Sequence, residues 1–285
     1  LALAVGLALA ALAGAGGSAN AAPTVVPSQF HDGLIFVSLA VGSGPPGVFL
    51  LDTGAAVTVL DTRFADAAHV KLGDPIHIVG GGGAAQARQA ENVALTLAGE
   101  PPLFADPVVA DLGAPSQAMG RHLDGILGDD VLRRFVLTLD YRDQAVRLSQ
   151  AEPAPADAVA MRLIATPYVA ATIEDAGRKP AAAFQIDTGA NTALAFWAPF
   201  AAQALAPERT RPALGVGVAG DTRGQIGHVE ALDVAGRRIL APKADFADQL
   251  HPDDAGPDYG GVIGGPAWAG LVLTLDFPHR RVWVR

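Results

Sequence analysis

Two aspartates stand in the same local setting, Asp52-Thr53-Gly54-Ala55 and Asp187-Thr188-Gly189-Ala190. Each follows an apolar approach, Val48-Phe49-Leu50-Leu51 in one case and Ala183-Phe184-Gln185-Ile186 in the other. One such tetrapeptide is an ordinary turn after a strand. Two of them, one in each half of the chain, bring paired carboxylates into view. Facing each other across an internal two-fold axis, such carboxylates share a single proton and activate a water molecule for hydrolysis.

Other chemistries find little support. There are no cysteines, so disulfides, thiol nucleophiles and thiolate metal sites are excluded. The 7 histidines are scattered without ligand spacing, and neither a metal nor a cofactor is expected. Gly215-x-Gly217-x-x-Gly220 matches the dinucleotide fingerprint as a string, but it runs into Asp221-Thr222-Arg223-Gly224 and does not open a helix. The tetraglycine Gly80-Gly81-Gly82-Gly83 lacks the Lys-Ser/Thr of a phosphate loop, and no Gly-x-Ser-x-Gly is present. A formal net charge of −9 argues against a nucleic-acid partner.

Positioning two carboxylates requires two similar frameworks, and the chain repeats itself. Ile126-Leu127-Gly128 precedes Phe135-Val136-Leu137-Thr138-Leu139-Asp140, and Val262-Ile263-Gly264 precedes Leu271-Val272-Leu273-Thr274-Leu275-Asp276. The offset is 136 between the glycines (264 − 128) and between the Val-Leu-Thr-Leu-Asp runs (272 − 136), and 135 between the aspartates (187 − 52). Features that keep one register over so long a repeat point to a duplicated unit. Each unit reads as mostly strand, with apolar or alternating runs such as 34–40, 93–97, 136–139 and 272–275 bounded by Gly, Pro and Asp. Short helices are expected at 61–68, 129–134 and 193–204. The two apolar-apolar-Gly segments predict buried strands that end where backbones approach closely and pack behind the aspartate turns.

The Pro- and Ala-rich stretch 151–157 is the natural linker, which places an N-terminal lobe at 22–156 and a C-terminal lobe at 157–285. Residues 1–13 are Leu, Ala and Val apart from Gly6, and Ala19-Asn20-Ala21 offers a cleavage signal before Ala22. Residues 1–21 therefore read as a secretory signal peptide whose start lies upstream. That predicts an exported protein, periplasmic or secreted, with no stable membrane insertion after cleavage.

With these elements in order, the sequence resembles the aspartic peptidases, and more closely the retropepsin-like bacterial members of that superfamily. The match rests on three elements per half: the Asp-Thr-Gly-Ala strand, a glycine hairpin, and the apolar-apolar-Gly strand with a helix-like segment after it. The resemblance implies an all-β, bilobal acid-protease fold built from two β-rich units with short helices. It implies an aspartic endopeptidase acting on peptides or proteins, working as a monomer because both units lie in one chain. Asp52 and Asp187 would be the catalytic dyad, and Thr53 and Thr188 would cross-link the turns through hydroxyl–backbone bonds. Gly54 and Gly189 would let N–H groups approach the carboxylates. Ala55 and Ala190 stand where pepsin-like enzymes usually carry Ser or Thr, so one donor to the ionised carboxylate is absent. That implies an optimum in mildly acidic conditions.

Glycines 28 residues past each aspartate (80 − 52 and 215 − 187) imply two flap-like hairpins over the substrate, carried by Gly80, Gly81, Gly82 and Gly83 and by Gly215, Gly217 and Gly220. The competing reading is an envelope protein that kept the fold and binds peptides or serves as a scaffold without cleaving.

Overall fold

The structure is a computed structural model that describes residues 22–80, 83–97, 100–204, 210–217, 220–247 and 258–285. The leader reading for 1–21 and the flap residues Gly81 and Gly82 lie outside the described residues. The fold is all-β and bilobal, with a few short helices among the described residues.

Each lobe is built on one strand order. In the first, hydrogen-bonded neighbours run Leu72–Gly80, Gly83–Ala90, Val108–Ala110, Val59–Asp61, Gly125–Leu127, Pro46–Leu51, Leu34–Val41, Val93–Leu97 and Leu103–Ala105. In the second they run Arg211–Gly217, Gly220–His228, Lys243–Ala247, Leu194–Phe196, Tyr259–Gly264, Ala181–Asp187 and Pro167–Glu174, then Ala231–Val234 and Arg237–Leu240. Most strands pair antiparallel. The parallel pairs fall at equivalent places: Gly125–Leu127 beside Pro46–Leu51 and Val108–Ala110 beside Val59–Asp61 in the first lobe, Tyr259–Gly264 beside Ala181–Asp187 and Lys243–Ala247 beside Leu194–Phe196 in the second. Strands covered on both faces need no polar alternation. Accordingly Leu34–Val41 and Gly125–Leu127 read as apolar runs and are almost wholly buried.

The lobes meet in an antiparallel seam of Thr24–Val26, Ala145–Ser149, Val136–Asp140, Val272–Asp276, Arg281–Val284 and Val159–Leu163. At its centre the two Val-Leu-Thr-Leu-Asp runs pair with each other, Val136 opposite Asp276 and Thr138 opposite Thr274. The hydroxyls of Thr138 and Thr274 lie 3.2 Å apart and hydrogen-bond, which marks the two-fold relation on a residue pair. The principal apolar core runs through both lobes, from Phe49, Leu51 and Leu127 to Phe184, Ile186 and Ile263. Segment 151–158 carries no strand and connects the seam strands Ala145–Ser149 and Val159–Leu163.

Three helix expectations need adjustment. The first helix spans Thr62–Ala67, with the Asp61 carboxylate capping Arg63 N–H. The second ends at Leu132, not at residue 134. The third is confined to Ala198–Ala204, because Leu194–Phe196 is a strand. Leu194 and Phe196 are fully buried and pair with strands on both sides, so sheet pairing overrides the helix preference of an alanine-rich run. A further helix, Gly113–Ala118, was not expected, and strand Arg211–Gly217 of the other lobe packs against it. Among the described residues no helix is long and apolar enough to cross a membrane.

Candidate active site

Each aspartate sits where a strand leaves its sheet. Asp52 N–H donates to Leu127 O (3.0 Å), so the apolar-apolar-Gly strand holds the start of the first turn, and Gly264 is in register with Asp187 in the second. The glycines ending those strands have no room for a side chain. A Cβ on Gly128 would lie 2.6 Å from Val57 C and O, and one on Gly264 would lie 2.8 Å from Ala190 O.

The two turns are bolted together by their threonines, both fully buried. Thr53 N–H donates to Thr188 Oγ1 (3.1 Å) and Thr188 N–H to Thr53 Oγ1 (3.2 Å). Each hydroxyl then donates to a carbonyl beyond the other turn, Thr53 to Ile186 O (2.6 Å) and Thr188 to Leu51 O (2.7 Å). Every donor and acceptor in this ring is satisfied. It leaves the flanking carboxylates little freedom to separate.

The carboxyls are held from behind in matching fashion. Asp52 Oδ1 accepts from Gly54 N–H (2.7 Å) and Ala55 N–H (3.1 Å), and Asp187 Oδ1 accepts from Gly189 N–H (2.9 Å) and Ala190 N–H (3.1 Å). Each carboxyl lies against the glycine of the other turn, and each shifts the other's titration. Burial in the packed turns pushes Asp187 well above the ordinary carboxylate range, and repulsion from Asp52 adds to it. Burial raises Asp52 as well, opposed by donation from Asp187 and from the turn N–H groups. The two carboxyls titrate as a coupled pair, and burial favours keeping a proton on it.

Around this symmetric centre the second layer is not symmetric. In the first lobe Asp130 Oδ1 accepts from Thr58 N–H (2.9 Å) and Thr58 Oγ1 (2.7 Å), and Gly128 N–H donates to Thr58 Oγ1 (3.2 Å). At the same offsets the second lobe has Ala193 and Pro266. Asp129 is fully buried, and its carboxyl oxygens have no hydrogen-bond partner. Burial raises it to about 9; Arg133 opposes the rise, while Asp52, Asp130 and Asp187 add to it. It is therefore a neutral acid through the physiological range. The buried hydroxyl of Tyr141 is likewise unpartnered; burial, and then Asp187, keep it protonated. Gln185 Nε2 donates to Gly54 O (3.2 Å) and Thr166 Oγ1 (2.8 Å). Neither Asp129 nor Gln185 was picked out from sequence. Comparing the two copies residue by residue flags both, since Gly265 and Leu50 occupy their places in the other copy.

The glycine segments form hairpin ends. Gly80 pairs with Gly83 at the tip of Leu72–Gly80/Gly83–Ala90, and Gly217 with Gly220 at the tip of Arg211–Gly217/Gly220–His228. Gly215 sits inside its strand opposite Thr222. Val79 and Leu214 on these hairpins are 71% and 78% exposed, apolar groups held out in solvent. Among the described residues no cluster of three or more His, Asp or Glu is arranged to hold a metal.

Two β-lobes, each presenting an Asp-Thr-Gly turn backed by an apolar-apolar-Gly strand and joined through reciprocal threonines, define a retropepsin-like aspartic peptidase architecture. Residues 37–131 match the aspartyl protease family, a stretch that holds the first turn, the first hairpin and the Gly128 strand end. The second turn, around Asp187, lies beyond the matched residues. No curated protein matches the chain.

Proposed function

We propose that the chain is an aspartic endopeptidase in which Asp52 and Asp187 form the catalytic dyad. The observation that carries this reading is the meeting of two carboxyls from opposite lobes, each packed against the other turn's glycine and clamped by the Thr53–Thr188 ring. Water held between the carboxyls is deprotonated by the ionised member as it attacks the peptide carbonyl, and the protonated member donates to the carbonyl oxygen. The tetrahedral intermediate collapses as the pair's proton passes to the leaving nitrogen, the C–N bond breaks, and a hydroxyl of the gem-diol returns its proton to the other carboxylate, which restores the singly protonated pair.

The two glycine hairpins serve as flaps that close over an extended peptide and exclude water. Their exposed Val79 and Leu214 supply apolar surface for that closure. With both units in one chain, the working form is a monomer divided near residue 157, an internal pseudo-dimer of duplicated origin. The leader-like 1–21 segment supports export to the periplasm or medium, where the substrate would be a peptide or protein. Incubating the protein with a proteome-derived peptide library, with and without pepstatin, tests the reading. Pepstatin-sensitive cleavage in mildly acidic buffer is the expected result, and no cleavage at any pH would overturn it.

A further inference from the structure

The inner layer of the site treats the two aspartates alike, but one side chain does not. Gln185 lies two residues before Asp187 on strand Ala181–Asp187, so both side chains leave the strand on the same face. Gly54 O can only accept, which fixes the amide orientation: the nitrogen faces Gly54 O and Thr166 Oγ1, and its two hydrogens are both used. Gly54 C=O and Ala55 N–H belong to one peptide unit, and Ala55 N–H is a donor to Asp52 Oδ1 (3.1 Å). A chain of hydrogen bonds thus runs from the Gln185 amide through the Gly54–Ala55 peptide to the Asp52 carboxylate. Donation to the carbonyl polarises the peptide and strengthens its N–H as a donor.

The matching peptide in the second lobe, Gly189–Ala190, also donates to its aspartate (3.1 Å). The residue that would reach its carbonyl is Leu50, the counterpart of Gln185 (185 − 135), which is buried among apolar neighbours and has nothing to donate. Asp52 therefore receives a polarised donor and Asp187 does not.

On the catalytic reading above, we propose that Gln185 is a positioning residue that makes Asp52 the ionised, water-activating member of the dyad and leaves the shared proton with Asp187. The other titratable groups linked to the pair are Asp129, pushed up to about 9 by burial, and Tyr141 and Tyr168, both raised chiefly by burial, with Asp187 adding to the rise. None reverses the preference.

The test compares wild type with Gln185→Met, which keeps the length of the side chain and removes the donor. Carboxyl-carbon NMR titration of aspartate-labelled protein should show the Asp52 ionisation moving up by a few tenths of a unit, the size expected for polarisation relayed through one peptide. The acid limb of kcat should move with it while KM changes less than about twofold. Thr166→Val, which releases the amide from its second partner, should shift Asp52 the same way by less, and it serves if Gln185→Met does not fold. An unmoved Asp52 titration in a folded variant overturns the inference. Wild type that cleaves nothing, yet whose Asp52 titration moves in Gln185→Met, would sink the peptidase reading and support the Gln185 link.

Discussion

Gly54 and the carboxyl of Asp187 come from opposite lobes and leave no space for a methyl group between them. A Cβ on Gly54 would stand 2.6 Å from both Asp187 carboxylate oxygens, and one on Gly189 would stand 2.5 and 2.7 Å from those of Asp52. The glycine of each Asp-Thr-Gly turn is therefore a contact surface for the other lobe's aspartate. Its small size sets the distance between the carboxyls.

Gly54→Ala and Gly189→Ala follow directly. The atoms in the way are side-chain ends, which can rotate aside, so the fold should survive with a modest loss of stability. Turning one carboxyl away breaks the shared-proton geometry, and kcat should fall by about 10²-fold. Gly128→Ala should behave oppositely, because its Cβ would meet Val57 backbone atoms at 2.6 Å. There the loss should register first in thermal stability. Steady-state kinetics beside thermal melts of the three variants separates the effects.

The threonine ring predicts strong coupling. Thr53→Val removes a donor to Ile186 O and the acceptor for Thr188 N–H, all buried, and should cost about 1–3 kcal/mol. Thr188→Val should cost a similar amount. The two substitutions remove different bonds, but either one already loosens the turn that the other holds, so denaturant midpoints of the double variant should show less than the sum of the single losses. Simple additivity would mean that the ring does not act as a unit.

Asp129 gives a pH signature of stability. Its folded-state value of about 9 lies far above the ordinary 3.8, so the folded protein holds a proton that the unfolded chain releases. Below pH 3.8 the group is neutral in both states and costs nothing by this route. As pH rises from there towards 9, stability is progressively lost, and above that range the loss is constant. Asp129→Asn abolishes this dependence. It should stabilise the protein on the order of a few kcal/mol at pH 7, with the gain vanishing in strong acid. Denaturation midpoints of both proteins across that range check it, and a gain independent of pH would contradict it.

The repeated aspartate turns, the two hairpins and the strands behind the turns were legible because repetition writes them twice in one register. The same register hid what differs between the copies. Gln185 against Leu50 and Asp129 against Gly265 are single substitutions inside otherwise matching segments, and the carbonyl that Gln185 reaches, Gly54 O, is 131 residues away. The repeated Val-Leu-Thr-Leu-Asp runs were visible, but their pairing across Thr138 and Thr274 was not, because strand partnership is a tertiary choice. Helix Gly113–Ala118 carries no strong helix signal because Gly113, Pro115 and Ser116 are turn-forming residue types; Pro115 sits in its first turn, where no N–H is needed.

The dyad itself meets its most direct test in Asp52→Asn, which keeps the shape of the turn and removes the carboxylate. Wild type and variant are compared for peptide cleavage from strongly acidic to neutral pH, with circular dichroism to establish that both are folded. Wild type should give a bell-shaped profile that peaks in mildly acidic buffer, and the variant should fall by about 10²-fold to 10⁴-fold. Cleavage by folded Asp52→Asn at the wild-type rate would contradict the dyad.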